Sequence, residues 1–309
     1  MLIGRKRPLT RLAIQPPAPA SDRQGLALVT IVRNESRHIR EWLRFHGLAG
    51  VSHVYLYDNG SKDETVERAR SSLPASALTL TPWAQRVFCR DDRAEIHSQV
   101  LAYAHAIANF GAAYQWMAFI DADEFLVPTG AETLEAALEP LILHGQVSLP
   151  WHMFGPNGHR GPPPTGQLAG FTQRSRDPYA HPRALNFKVI ADPCRITAIK
   201  VHGMEIDGTA RSVNDRGQPA RHRNRTDRAF YSQDRIQLNH YYTRSQQELE
   251  AKLNRPGMKL GPMDRRRRQV AHIARLIEQG TVEDTTALTF LERRGVAPAD
   301  LVKPGGSMT

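Results

Sequence analysis

The sequence predicts an α/β fold: a mixed, mainly parallel sheet flanked by helices, with a helical C-terminal region. Two observations carry this expectation. Apolar β-branched runs alternate with amphipathic stretches through short connections, the order that builds parallel sheets with right-handed crossovers. The early apolar runs also stop abruptly in polar or acidic clusters, and ligands on such sheets bind beyond the carboxyl ends of the strands.

The elements follow in order. Residues 1–24 are basic and then proline-rich (Pro16-Pro17-Ala18-Pro19), without apolar periodicity, and read as a disordered tail. Leu26–Val32 is β-branched and apolar throughout, as a strand buried on both faces should be, and it exits into Arg33-Asn34-Glu35-Ser36. Ile39, Trp42, Leu43 and His46 recur at helical spacing. A second strand, Val51–Tyr57, exits into Asp58–Thr65, where Ser61 and Glu64 have the spacing of a capping box. Leu78–Phe88 reads as a strand and loop. Glu95–Phe110 reads as a helix with Ile96, Val100, Tyr103, Ile107 and Phe110 on its core stripe.

Trp116–Pro128 is the centre of the chain. An apolar strand, Trp116–Ile120, runs into Asp121, Asp123 and Glu124. Side chains two apart in an extended backbone point the same way, so Asp121 and Asp123 can converge. Two readings stand level at this point: solvated turn acids at a strand end, or ligands of a divalent cation.

Beyond it, Thr133–His144 reads as a helix and Gln146–Trp151 as a strand leading into a Gly/Pro-rich loop with Phe154 and His159. Strands are expected at Leu185–Ile190, Ile196–His202 and Ile236–Tyr242. Arg221, Arg223, Arg225 and Arg228 fall in an exposed excursion at 207–228. Helices close the chain at Gln246–Leu253, Asp264–Gln279 and Asp284–Arg294.

The chain of 309 residues has a net charge of +10, which favours an acidic partner, yet its arginine runs read first as solvated faces. Cys89 and Cys194 have neither a disulfide framework nor metal-ligand spacing. No apolar run approaches the ~20 residues of a membrane span. A cytoplasmic protein is expected, with peripheral contact at the inner face of the membrane through its basic segments and no specific nucleic acid.

Three motifs then act together: VTIVRNE (Val29–Glu35), YLYDNGSKDET (Tyr55–Thr65) and FIDADEF (Phe119–Phe125). Their combination resembles the family 2 glycosyltransferases of the GT-A fold, nearest to the non-processive bacterial branch that is also similar to family 92. FGPNGH (Phe154–His159) and LNHYYTRS (Leu238–Ser245) extend the likeness over residues 26–255.

The resemblance implies a metal-dependent, inverting transfer of a sugar from a nucleotide-sugar donor, UDP-linked, to a hydroxyl on a glycan, a lipid-linked sugar or a metabolite. It implies a nucleotide pocket of Arg33, Asn34, Glu35, Asp58, Asn59 and Asp121. Asp121 and Asp123 match the DXD motif that holds Mn²⁺ or Mg²⁺, with His240, or alternatively His202, as a third ligand. Glu124, Trp151, Phe154, His159 and Lys188 are expected around the donor and acceptor. The catalytic base stays open among Glu205, Asp207 and Asp177.

The implied organisation is a tail (1–24), a glycosyltransferase domain (25–255, with halves 25–128 and 129–255) and a helical extension (256–309). The membrane helices and late tryptophan motif of processive relatives are missing from the sequence. A sugar-nucleotide nucleotidyltransferase, and a non-catalytic protein binding nucleic acid or anionic surfaces, are the alternatives. The first would need a Gly-rich basic loop where Arg33-Asn34-Glu35 stands, and the second lacks aromatics among its arginines.

Overall fold

Alternation along one strand, Leu26–Val32, divides the molecule into two cores. Leu26, Leu28 and Val32 point into one, while Ala27, Val29 and Ile31 point into the other, as the two-residue period of a strand requires. The computed structural model describes residues 8–304, apart from 92, 183 and 255–261, with the backbone alone for 262–266.

Strand β1 is Arg11–Ala13 and β2 is Leu26–Val32, followed by helix α1 (Ile39–Leu48), β3 (His53–Asp58), α2 (Thr65–Arg70) and β4 (Leu78–Pro82). Helix α3 (Ser98–Phe110) leads to β5 (Trp116–Phe119) and β6 (Glu124–Pro128). After α4 (Leu134–Leu138) come β7 (Gln146–Met153), α5 (Gln167–Gly170), β8 (Gln173–Ser175), β9 (Phe187–Ala191), β10 (Ile196–Lys200) and β11 (Gly203–Ile206). Strands β12 (Arg211–Val213), β13 (Pro219–Arg221) and β14 (Ile236–His240) precede α6 (Gln246–Leu253) and α7 (Pro262–Glu278). Strand β15 (Thr281–Glu283), α8 (Thr286–Arg293) and α9 (Pro298–Val302) close the described chain.

The main sheet runs β4-β3-β2-β5-β9-β7-β12-β13, and β14 joins it between β7 and β6. Strands β4, β3, β2 and β5 are mutually parallel, and β9 lies antiparallel to both β5 and β7. This is the expected mixed sheet flanked by helices. Helix α1 covers one face with Ile39, Trp42, Leu43 and Phe45, joined there by Phe290, Leu291 and Leu301 from the C-terminal helices. Helix α3 covers the other with Val100, Tyr103 and Ile107.

Several sequence expectations need correction. Residues 8–24 are not a loose tail: β1 pairs antiparallel with β10, and Leu12 and Ile14 lie against the second core. Residues 1–7 lie outside the described ones. The expected helix Thr133–His144 stops at Leu138 and continues as a 3-10 turn, because Pro140 cannot donate to the helical ladder. Ser61 and Glu64 form no capping box: the Ser61 amide donates to the Asp58 carboxylate and its hydroxyl accepts from the Asn34 amide.

The excursion at 207–228 is partly built into the sheet through β12 and β13. Arg225 is buried there, donating to Ser148 Oγ and lying over the Phe187 ring. The C-terminal region is also not wholly helical, since β15 pairs with β8. Of the run Arg265–Arg268, Arg265 and Arg266 lie outside the described side chains, and Arg267 and Arg268 are exposed.

Candidate active site

Three strand exits meet at a cavity of about 1480 Å³. Arg33, Asn34 and Glu35 line it from the end of β2, Asn59 from the end of β3, and Asp121 and Asp123 from the turn between β5 and β6. The opposite wall is Trp151, His202, His240, Arg244 and Lys252.

The first rim is stitched to the second. Asn34 sits at φ 57° with its amide on Ser61 Oγ, and its side-chain oxygen accepts from the Lys62 amide at 2.8 Å. The Glu35 amide donates to Thr65 Oγ1 and the Ser36 amide to Asp63. Asp58 is therefore a residue that shapes this loop, through Ser61, and it does not itself line the cavity.

The acidic turn is fixed from below. Trp42 Nε1 donates to the Glu124 carbonyl at 2.6 Å, and the Leu126 amide donates to His46 Nε2. Long-range register then supplies the partners of the acids. Strand β14 lies antiparallel to β6 with His240 opposite Glu124, and the Tyr241 amide donates to the Asp123 carbonyl. His240 Nε2 consequently stands 3.5 Å from Asp123 Oδ2. Strand β9 pairs with β5 so that Lys188, just past Val189 opposite Phe119, reaches the same turn.

The two aspartates differ in what they already hold. Asp121 accepts from Gln99 Nε2 on one oxygen at 2.6 Å and from Lys188 Nζ on the other at 2.8 Å. Glu124 is wholly buried, accepts from the Asp121 amide, and stands 3.4 Å from the same ammonium. Burial alone would push Lys188 down, but Asp121 and Glu124 outweigh it and hold the pKa well above the ordinary value. Burial pushes Glu124 well up against the pull of Lys188, and the neighbouring Asp121 and Asp123 push the same way as burial.

Asp123 is 21% exposed and faces the cavity. Burial opposes its ionisation, yet His240, Lys252 and Arg244 more than compensate and keep its pKa well below the ordinary value. Burial pushes His240 down against the pull of Asp123. Lys252 and Arg244 add positive charge beside Asp123 after His240.

A carboxylate and an imidazole at 3.5 Å, too far apart for a good hydrogen bond, are suitable donor types for Mn²⁺ or Mg²⁺. Among the described residues no three of His, Cys, Asp and Glu form a complete metal site. Such an ion would need further oxygens from water and a bound ligand, as Mg²⁺ commonly does. Asp121, with both oxygens engaged, is the weaker candidate ligand. His202 shares the cavity wall, its ring edge-on to Trp151 at 5.4 Å, and burial lowers its pKa to about 4.

The remaining expected residues separate clearly. Trp151 lines the cavity, with its ring 4.3 Å from that of His240. Phe154 is core, buried against Tyr241 at 4.8 Å, and His159 stacks edge-on against Phe171 outside the cavity lining. Lys188 lies beneath the floor with 1% exposure. None of the three candidate bases lines the cavity: Asp177 pairs with Arg228, Asp207 with Arg195, and Glu205 with Arg11 and Lys200.

Sequence reasoning missed Arg244, Glu248, Lys252 and His38. Arg244 donates to Glu35, Gln167 Oε1 and the Ala122 carbonyl, and Glu248 contacts His38. The available signal was Ser245 followed by Glu248, a capping box that forms here and sets the start of α6.

The family profile described as glycosyltransferase family 92 matches residues 29–269, a span that contains the three strand exits and the opposite wall of Trp151, His202, His240, Arg244 and Lys252. The chain belongs to glycosyltransferase family 92. A family 92 protein of Oryza sativa subsp. japonica is 31% identical over 180 residues, covering 54% of this chain and 28% of that protein. One from Ricinus communis is 28% identical over 177 residues, covering 53% and 30%. This family 92 chain thus spans less than a third of the length of these relatives.

Among solved structures, Staphylococcus aureus TarS 1-349 is 15% identical with a TM-score of 0.36, covering 81% of this chain and 70% of that one. The same protein in complex with UDP is 19% identical with a TM-score of 0.28, covering 46% and 39%. Likenesses at these scores are too low to establish a shared fold. The family match supports the likeness to family 92, and the wider assignment to family 2 is not what it supports.

Proposed function

We propose that this family 92 chain transfers a sugar from a UDP-linked donor to an acceptor hydroxyl with a divalent cation, Mn²⁺ or Mg²⁺, bound at Asp123 and His240. The observation that carries this reading is the β14–β6 register, which sets the His240 imidazole 3.5 Å from the Asp123 carboxylate at the cavity. The cation would neutralise charge on the departing nucleoside diphosphate.

The chain's own residues do the rest. The stitched loop of Arg33, Asn34 and Glu35, with Asn59 beside it, offers polar groups to the nucleotide, and Asp58 keeps that loop in shape. Asp121, clamped by Gln99 and Lys188, holds the floor of the cavity rigid. Trp151 presents an apolar wall to the sugar-bearing side.

Thermal unfolding with UDP, with and without Mn²⁺, tests the reading in wild type and Asp123→Ala, since a ligand of the native state must raise its stability. A Mn²⁺-dependent UDP shift that vanishes in Asp123→Ala is expected. Lack of a shift in wild type, or an equal shift in the variant, would overturn it.

A further inference from the structure

Two cationic side chains, Arg244 and Lys252, line the cavity beside Asp123. Arg244 donates to Glu35, Gln167 and the Ala122 carbonyl. Lys252 places Nζ 3.7 Å from Asp123 Oδ2, beyond normal hydrogen-bond length. The same ammonium donates to the Tyr242 carbonyl at 3.0 Å and lies 4.2 Å from the centre of the Tyr242 ring. Its side chain is 29% exposed and lines the cavity.

The helix beneath it is firmly seated. Ser245 and Glu248 cap α6 reciprocally, and the Gln246 and Gln247 amides donate to the carbonyls of His159 and Arg160. The base of Lys252 is therefore fixed, and its four-carbon stem carries the ammonium to a position between Asp123 Oδ2 and the Tyr242 carbonyl.

We infer that Lys252 is a placeholder cation: it neutralises Asp123 until a divalent ion binds, then passes to the diphosphate of the nucleotide. This rests on the metal–diphosphate reading above and extends it to a residue that reading does not use. An ammonium and a divalent cation are like charges competing for one carboxylate, so Lys252 must oppose binding of the ion alone. A diphosphate arriving with the ion gives the displaced ammonium an anionic partner, so Lys252 must favour binding of the two together. Removing its charge should move the two affinities in opposite directions, which a purely structural lysine would not do.

The test uses Lys252→Met, which keeps the apolar stem over Tyr242, and titrates the full chain calorimetrically with MnCl₂ alone and then with UDP at saturating Mn²⁺. Mn²⁺ alone should bind roughly fivefold tighter in the variant, the scale of a partly exposed ion pair. UDP with Mn²⁺ should bind roughly fivefold weaker or worse, and Lys252→Arg should recover part of that loss. Unliganded Tm values of both variants report whether the fold is intact. A normal wild-type response with both affinities unchanged, or both weakened, in Lys252→Met overturns this inference alone. A wild type that binds neither Mn²⁺ nor UDP overturns the metal–diphosphate reading and this one with it.

Discussion

Lys188 holds its ammonium 2.8 Å from Asp121 Oδ2 and 3.4 Å from Glu124 Oε2, with 1% of its side chain exposed. A lysine at this depth exists only because carboxylates meet it, and the carboxylates are held in the turn because it is there. Replacing it with methionine removes the charge and keeps the volume. Breaking a buried ion pair from one side typically costs about 3–5 kcal/mol. Asp121 is 34% exposed and can recruit water, so the lower end applies. A fall in Tm on the order of 10 °C is expected for Lys188→Met in a thermal scan. Adding Glu124→Gln should recover part of it, and a Lys188→Met protein as stable as wild type would contradict the assignment.

The two histidines are separated by the same kind of test. His240 faces Asp123 at 3.5 Å, while His202 meets the Trp151 ring. His240→Ala should weaken Mn²⁺ binding at least tenfold, about 1.4 kcal/mol. His202→Ala should leave it within about twofold, a change of roughly 0.4 kcal/mol. The reverse order in a Mn²⁺ titration would move the metal ligand to His202.

What could be read from the chain was local. Strand β2, helix α3 and the position of the Asp121–Glu124 turn are written in short-range patterns of burial and polarity. The partners of that turn are not, because they arrive through pairing between distant strands. Lys188 is 67 residues from Asp121, and its identity as a buried counter-ion depends on the β9–β5 register. The choice of His240 over His202 depends on β14 lying antiparallel to β6. Residues 8–24 look unstructured because proline-rich sequence has no period, yet Leu12 opposite Ile199 gains its order from β10. Phe154 was expected on a wall because its loop is rich in glycine and proline, and the structure instead uses it to fill the space beside Tyr241.

Glu41 gives a pH dependence. It is buried on α1 and accepts from the amides of Gln167 at 2.7 Å and Leu168 at 3.0 Å. Burial raises its pKa from 4.5 to about 7, although those amides pull the other way. A carboxyl whose folded pKa is raised contributes stability that is complete below pH 4.5 and is lost as pH rises through 7. Urea unfolding of wild type should therefore carry a loss on the order of 3 kcal/mol over that window from this group. Glu41→Gln cannot titrate, so its stability relative to wild type should improve steadily from pH 4.5 to 7. A difference that stays constant with pH would show that Glu41 is not the group responsible.

Arg244 ties three parts of the site together. Its Nη1 donates to Glu35 Oε2 at 2.7 Å, its Nε to Gln167 Oε1 at 2.8 Å, and its Nη2 to the Ala122 carbonyl at 3.3 Å. Those acceptors belong to the β2 rim, to α5, and to the acidic turn that carries Asp121 and Asp123. A lysine keeps the positive charge but has a single nitrogen, which cannot span three acceptors in a planar fork. Arg244→Lys should therefore cost about 1–3 kcal/mol in stability through the buried acceptors left without donors. It should also weaken UDP binding, because Glu35 and the turn are no longer held at a fixed separation. Arg216→Ala is the contrast, breaking a pair with Asp234 in which both side chains are about half exposed. That substitution should leave both the thermal transition and UDP affinity unchanged, since exposed pairs contribute little. If Arg244→Lys behaved like Arg216→Ala, the fork would be an incidental contact and not the brace that sets the distance between the nucleotide rim and the acidic turn.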